Sequence, residues 1–232
     1  MHQRRFPDTP DGPGDLSPDD QAQVGRILND QTSDDQILGG RTIGLLGGSF
    51  NPAHAGHRQI AEEALRRLNL DAVWWVVSPQ NPLKSSSDMA PFAVRLARAR
   101  IMAQHPRMRV CDLEMKFGTH RTADTLDQFH RRYPKDRFIW LMGADNLGQI
   151  SSWAKWQQIF NTTPVAVFAR APYNLRVLAG VAARRFARFR IKPQKGTARR
   201  LGFAKAPAWV FFHIRTNPAS ASAIRAWKQA RR

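Results

Sequence analysis

Two histidines three residues apart, His54 and His57, lie in the stretch Gly47-Gly-Ser-Phe-Asn-Pro-Ala-His-Ala-Gly-His57. At that spacing one helical turn or a tight bend aims both imidazoles at a single point. The glycines around them suit an anion. Gly47 and Gly48 let the backbone approach a ligand closely. Gly56 falls at or near a helix start, where unpaired N–H groups and the helix dipole favour negative charge. Together these groups read as a phosphate site. A metal site would need a third and a fourth ligand, and the sequence has neither an HExxH motif nor a cysteine cluster. A second candidate lies near the other end of the chain, Ser220-Ala-Ser-Ala-Ile-Arg225. Hydroxyls and N–H groups opening a helix can hold a triphosphate, and an arginine adds a bidentate charged fork.

The elements that must position these groups follow from the hydrophobic pattern. Residues 41–46 read as a strand and Arg58 to Leu68 as an amphipathic helix, with the histidine turn between them. Leu70 to Ser78 is a β-branched and aromatic run of the kind found in a sheet covered on both faces. Further strands are expected at 108–113, 137–142, 164–169 and 208–214. Helices are expected at 91–104, 122–133, 153–160, 175–189 and 220–229. This alternation predicts an α/β fold, a Rossmann-like doubly wound parallel sheet. Ligands in that architecture sit beyond the carboxyl ends of the strands. The histidine turn, the loop containing Lys84, Asp145 and the Ser220 turn all follow strands and are expected to gather on one edge.

Composition narrows the setting. One cysteine, Cys111, excludes an internal disulfide and fits a reducing cytoplasm. No apolar run approaches the ~20 residues that span a bilayer, and the first residues do not read as a secretory signal. Residues 1–38 are rich in Asp, Pro, Gly and Ser, with eight acids against three arginines; they read as a disordered tail ahead of one domain over 39–232. Transient contact of this tail with the basic half is the alternative to its being dispensable. The net charge of +18 is uneven: after Asp145 there are 17 Lys or Arg and no acid. A half so charged faces polyanions, ATP or nucleic acid. The RNP signature of RNA-binding modules is absent.

The stretch GGSFNPAHAGH resembles the HxGH signature of the nucleotidylyltransferase superfamily, and in its long form the nicotinate-mononucleotide adenylyltransferases. Ser220-Ala-Ser-Ala-Ile-Arg225 is similar to the superfamily's ISSTxxR-type turn, with Ala221 and Ala223 departing from it. Ser78-Pro-Gln-Asn-Pro-Leu-Lys84 resembles the family's loop ending in a basic residue, and Gly143-Ala-Asp-Asn-Leu147 its GxD(S/N)L turn. The resemblance covers about residues 41–229.

It implies a cytoplasmic enzyme that transfers the adenylyl group of ATP to nicotinate mononucleotide, with Mg²⁺ held mainly by phosphates. The sister activity on pantetheine 4′-phosphate is the runner-up, and a basic nucleic-acid-binding protein the rival from another class. The implied roles are catalysis for His54 and His57, and ATP binding for Gly47, Gly48, Ser49, Phe50, Gly56, Ser220, Ser222 and Arg225. Acceptor binding falls to Asn51, Lys84, Thr122, Asp145 and Trp153. Trp153 is either the family's pyridine-stacking ring or a core aromatic. Arg121 stands where the family has a tyrosine. No membrane or specific nucleic acid is expected as a partner, and a homo-oligomer is left open.

Overall fold

The computed structural model describes residues 40–79, 89–169 and 175–215. Lys84, Ser220, Ser222, Arg225, the acidic segment and the expected helix at 220–229 lie outside the described residues.

The described chain forms a seven-stranded parallel sheet in the order β3-β2-β1-β4-β5-β7-β6. The strands are β1 (Thr42–Gly48), β2 (Ala72–Val77), β3 (Met108–Cys111), β4 (Arg137–Gly143), β5 (Val165–Ala169), β6 (Arg190–Ile191) and β7 (Trp209–His213). The helices are α1 (Ala55–Leu68), α2 (Phe92–Met102), α3 (Leu113–Lys116), α4 (Thr122–Arg132), α5 (Ala144–Gln149), α6 (Trp156–Thr162), α7 (Val181–Arg185) and α8 (Thr197–Gly202). The doubly wound expectation holds. The central strands are buried along nearly their whole length because both faces are covered. One core joins β-residues such as Trp75, Leu141 and Val210 to α1; the other joins Trp74, Trp140 and Trp209 to α4 and α6.

From β1 the chain winds through β2 to β3 on one side, then crosses to β4 on the other. The crevice between β1 and β4 is therefore the topological switch point. Gly48 ends one of these strands and Gly143 the other.

The pattern misplaced some elements. The helix expected over 175–189 is broken into a 3₁₀ turn (Leu175–Ala179), α7 and a second 3₁₀ turn (Ala187–Phe189). Gly180 separates the first two in extended backbone, φ −69° and ψ 166°. The helix expected at 153–160 starts at Trp156, after a 3₁₀ turn (Ile150–Ser152) and Lys155 in left-handed backbone (φ 55°). The strand expected to reach residue 113 stops at Cys111, and α3 begins two residues on. Short α5, α8 and two-residue β6 have too little sequence for a period to show.

Candidate active site

His54 is the N-cap of α1, with extended backbone and a side chain that is 3% exposed. Its Nδ1 accepts the Gly56 amide at 3.1 Å, while the His57 Nδ1 accepts the His54 amide at 3.2 Å. The two histidines therefore form a reciprocal capping box, a task usually given to Ser or Thr with Glu. An imidazole nitrogen that accepts a backbone N–H carries no proton, so each neutral ring bears its proton on Nε2. The cap fixes the tautomer and leaves Nε2–H as the ring's donor. The ring centroids are 3.8 Å apart.

The same geometry changes the expected part of Gly56. Its amide is committed to the His54 ring, and the His57 amide to the His54 carbonyl at 2.8 Å. The start of α1 thus presents imidazole donors in place of a row of open amides. Gly47 also gains a different reason. A Cβ there would meet the Trp140 ring at 2.1 Å, so packing against β4 demands glycine. At Gly48 a Cβ would make only ordinary contact with the Phe50 ring, at 3.5 Å.

Phe50 is the support of the turn. It takes left-handed backbone (φ 46°) and is 1% exposed. Its ring stacks on Trp75 (5.2 Å) and meets His57 edge-on (4.9 Å). Asn51, expected to touch substrate, uses its Oδ1 to accept the Ala90 amide at 3.2 Å, tying the turn to the approach of α2.

Arg95, on α2, is the residue that the sequence pattern did not single out. It is 1% exposed. Its Nη1 donates to the carbonyls of Ser49 and Ser78, both at 2.7 Å. Its Nη2 donates to Pro79 at 2.6 Å, and its Nε to Ala90 at 3.0 Å. One guanidinium thus pins the turn after β1 to the segment after β2, whose Ser78 amide also bonds the Gly48 carbonyl at 2.9 Å. Burial pushes the Arg95 guanidinium below its ordinary value. Beside Ser78 lies Glu114, on α3 and 7% exposed, with its carboxyl 3.5 Å from the serine hydroxyl. Burial pushes that carboxyl up to about 7, against a smaller opposing effect of the Ser78 hydrogen bond.

The other sequence-predicted residues lie around the same edge. Gly143 closes β4, and a Cβ on it would strike the Asp145 carboxylate at 2.2 Å, so glycine lets that side chain fold back beside the strand end. The same hypothetical Cβ lies 3.8 Å from Ile60 of α1, which brings Asp145 toward the histidine helix. Thr122 opens α4, with Arg121 exposed at its N-cap. Lys155 bonds Asp124 at 2.7 Å and draws the Trp153 segment against the start of α4. Trp153 is half-buried against the core. Past β7, the Arg215 carbonyl accepts from Gln59 at 2.9 Å, so the chain leaves the last strand alongside α1. Among the described residues no group of three or more His, Cys, Asp or Glu could hold a metal ion, and no helix is long and apolar enough to cross a membrane.

Residues 45–227 match the family described as Cytidylyltransferase-like. A protein of Roseobacter denitrificans called "Probable nicotinate-nucleotide adenylyltransferase" is 48% identical over 186 residues, 80% of this chain and 92% of that one. A protein of the same name from Cereibacter sphaeroides is 50% identical over 184 residues, 79% and 96% of the two chains. Among solved structures, Plasmodium falciparum nicotinic acid mononucleotide adenylyltransferase complexed with NaAD superposes with a TM-score of 0.58 at 18% identity, covering 80% of this chain and 83% of that one. At that identity the likeness speaks for the fold.

Proposed function

The chain belongs to the nicotinate-nucleotide adenylyltransferases, nucleotidyltransferases of NAD biosynthesis, and we propose that its reaction runs at the β1–α1 turn, with His54 and His57 facing the α-phosphate of ATP. The reciprocal histidine cap supports this reading most directly. It holds two neutral Nε2–H donors side by side at the switch point of the sheet, where a phosphate can be met without a charged base.

An oxygen of the 5′-phosphate of nicotinate mononucleotide attacks the α-phosphorus of ATP. The bond from that phosphorus to the bridging oxygen breaks, and its electrons leave with pyrophosphate. No protein nucleophile is needed, so positioning and charge stabilisation carry the rate. His54 and His57 donate to oxygens of the five-coordinate α-phosphorus, where negative charge grows. Ser49 and Phe50 shape the turn against the nucleotide, beside Gly47, Gly48 and Gly56. Ser220, Ser222 and Arg225 hold the leaving β- and γ-phosphates. Asn51, Lys84, Thr122, Asp145 and Trp153 hold the acceptor: Asp145 through ribose hydroxyls, Trp153 through the pyridine ring.

The described carboxyls here, Asp145 and the buried Glu114, belong to no group of three metal-ligating side chains, a set that suits Mg²⁺ arriving on the triphosphate with its waters more than in a protein cage. Mg²⁺ so bound supplies positive charge to the phosphate oxygens. A chain with one cysteine fits action in a reducing cytoplasm.

The acceptor supplies the deciding experiment. A nicotinate carboxylate only accepts hydrogen bonds, whereas the nicotinamide amide also donates. The Thr119 amide is held by the Glu114 carbonyl at 3.1 Å, so backbone amides of His120 to Thr122 would satisfy the acid and leave an amide NH₂ facing a donor, a mismatch of about 1–3 kcal/mol. With both mononucleotides assayed side by side, kcat/KM is expected to favour the acid by at least ~10-fold and up to ~10³-fold. Equal values or a preference for the amide would sink the nicotinate assignment and leave adenylyl transfer standing. Pyrophosphate release with pantetheine 4′-phosphate as efficient as with the mononucleotide would move the reading to the sister activity.

A further inference from the structure

At the opposite end of the sheet, residues 181–213 present cations and no acid of their own. Arg184, Arg185, Arg188, Arg190, Lys192, Lys195, Arg199, Arg200 and Lys205 are all exposed. None makes an ion pair among the described residues; every such pair lies between Arg41 and Lys155. Three features fix where the chain enters this surface. Gly40 is joined to β4 by its amide on the Lys135 carbonyl (2.8 Å) and by its own carbonyl on Arg137 Nη2 (2.7 Å). The Arg137 guanidinium lies 4.5 Å from the ring of Phe203, a side chain left 67% exposed at the end of α8. On the other side of the entry, Gly202 of α8 abuts Thr42; a Cβ there would lie 3.6 Å from its methyl.

Residues 1–39 therefore leave the described fold beside α8, at the amino ends of β1 and β4. They bring eight aspartates and three arginines. Asp34 and Asp35 are five or six residues from Gly40, a tether of at most ~20 Å, and Arg199, Arg200 and Lys205 flank Gly202, which abuts Thr42. The nearby acids of the fold are already engaged: Asp136 with Arg41 at 2.8 Å, and Asp71 with the Thr42 amide at 2.6 Å.

We propose that the acidic segment 8–35 docks on this cationic surface around α8 and Phe203, in the same molecule, and screens it from other polyanions. Tethering gives the segment an effective concentration that a free competitor must overcome. The contact is ionic and exposed, so salt weakens it. It lies at the sheet edge opposite His54 and His57, so adenylyl transfer proceeds alike with the segment docked or removed.

The test compares the full chain, a chain lacking residues 1–38, and a full-length chain with all eight tail aspartates changed to asparagine. The probe is a short labelled single-stranded oligonucleotide at about 50 mM salt. The truncated and Asp→Asn chains are expected to bind it at least ~10-fold more tightly than the full chain. Adding Arg199→Glu, Arg200→Glu and Lys205→Glu should erase that gain. Carbodiimide cross-linking of the full chain is expected to join Asp34 or Asp35 to Lys205 or Lys135 within one molecule, and to fail at high salt. Equal oligonucleotide affinity in all three chains overturns the proposal. So do cross-links found only between isotopically distinct chains, which would make the occupant a second copy.

Discussion

The two edges of this sheet treat their polar side chains in opposite ways. At the carboxyl edge, His54, His57, Asn51 and Arg95 spend hydrogen bonds on the backbone of the turns they belong to or face. Around β6 the exposed cations rest on rings or face solvent, Arg188 over Phe189 (4.6 Å) and Arg190 over Trp209 (5.5 Å), whereas at the start of β4 Arg137 lies over Phe203 and also bonds the Gly40 carbonyl (2.7 Å). The first arrangement fixes atoms to fractions of an ångström, as transition-state stabilisation requires. The second fixes only charge density, which suffices for a polyanion. Substitutions at the first edge should therefore be felt in chemistry or folding, and substitutions at the second in binding and salt dependence.

The hardest test of that contrast is His57→Ala. On the proposed role of His57 as a donor to the developing charge, it is expected to lower kcat by about 10²–10³-fold with little change in KM. A folded variant with near-normal kcat would take His57 out of the reaction. Arg95→Met comes next. It strands four part-buried carbonyls and frees the turn after β1 from the segment after β2. A fall in kcat/KM of about 10²-fold, with a lowered melting temperature, is expected. If Arg95→Met keeps wild-type kinetics and stability, the tie between the two turns is ornamental.

Glu114→Gln separates the edges by pH. Burial raises the folded carboxyl to about 7, above its unfolded value. The folded state then holds the extra proton between those values, and stability falls as pH rises through that window. The neutral amide escapes this cost, so Glu114→Gln should stabilise at pH 8 by up to about 3 kcal/mol and gain little at pH 5. Thermal melts at both values decide it; the same gain at each pH would remove desolvation as the cause.

Gly47→Ala should cost about 1–3 kcal/mol by overpacking against Trp140, and Trp140→Leu in the same chain should recover part of it. Unfolding in urea measures both. The smallest effect belongs to the amino edge: Arg184→Ala with Arg185→Ala is expected to shift stability by less than about 0.5 kcal/mol and leave turnover unchanged.

Much of this was legible in the sequence because the signals are local. Buried parallel strands read as unbroken apolar runs, and the histidine spacing with its glycines marked the turn. Arg95 was not legible for the opposite reason. In α2 it sits among Arg98 and Arg100, and its burial depends on carbonyls from Ser49 and Ser78, 46 and 17 residues away. Helical periodicity describes which residues share a face, not which cation that face encloses. Glu114 was hidden because a strand was expected to run through Leu113. Gly180, by contrast, was a visible breaker inside the expected 175–189 helix, and its signal was outweighed by the basic amphipathic pattern around it. The Gly47 side chain's absence was seen, but its cause, Trp140, belongs to a strand 93 residues on.

The stack of Trp75, Phe50 and His57 has a thermodynamic consequence of its own. An imidazole on a mobile loop would lose its rotational freedom when the nucleotide arrives, and that loss would oppose binding. Here Phe50 is locked in left-handed backbone between a strand tryptophan and the His57 ring. The ordering takes place once, during folding, and does not recur with each turnover. Loosening the wedge with Phe50→Ala should accordingly appear as a less favourable activation entropy, legible in the temperature dependence of kcat even where the ring itself is untouched.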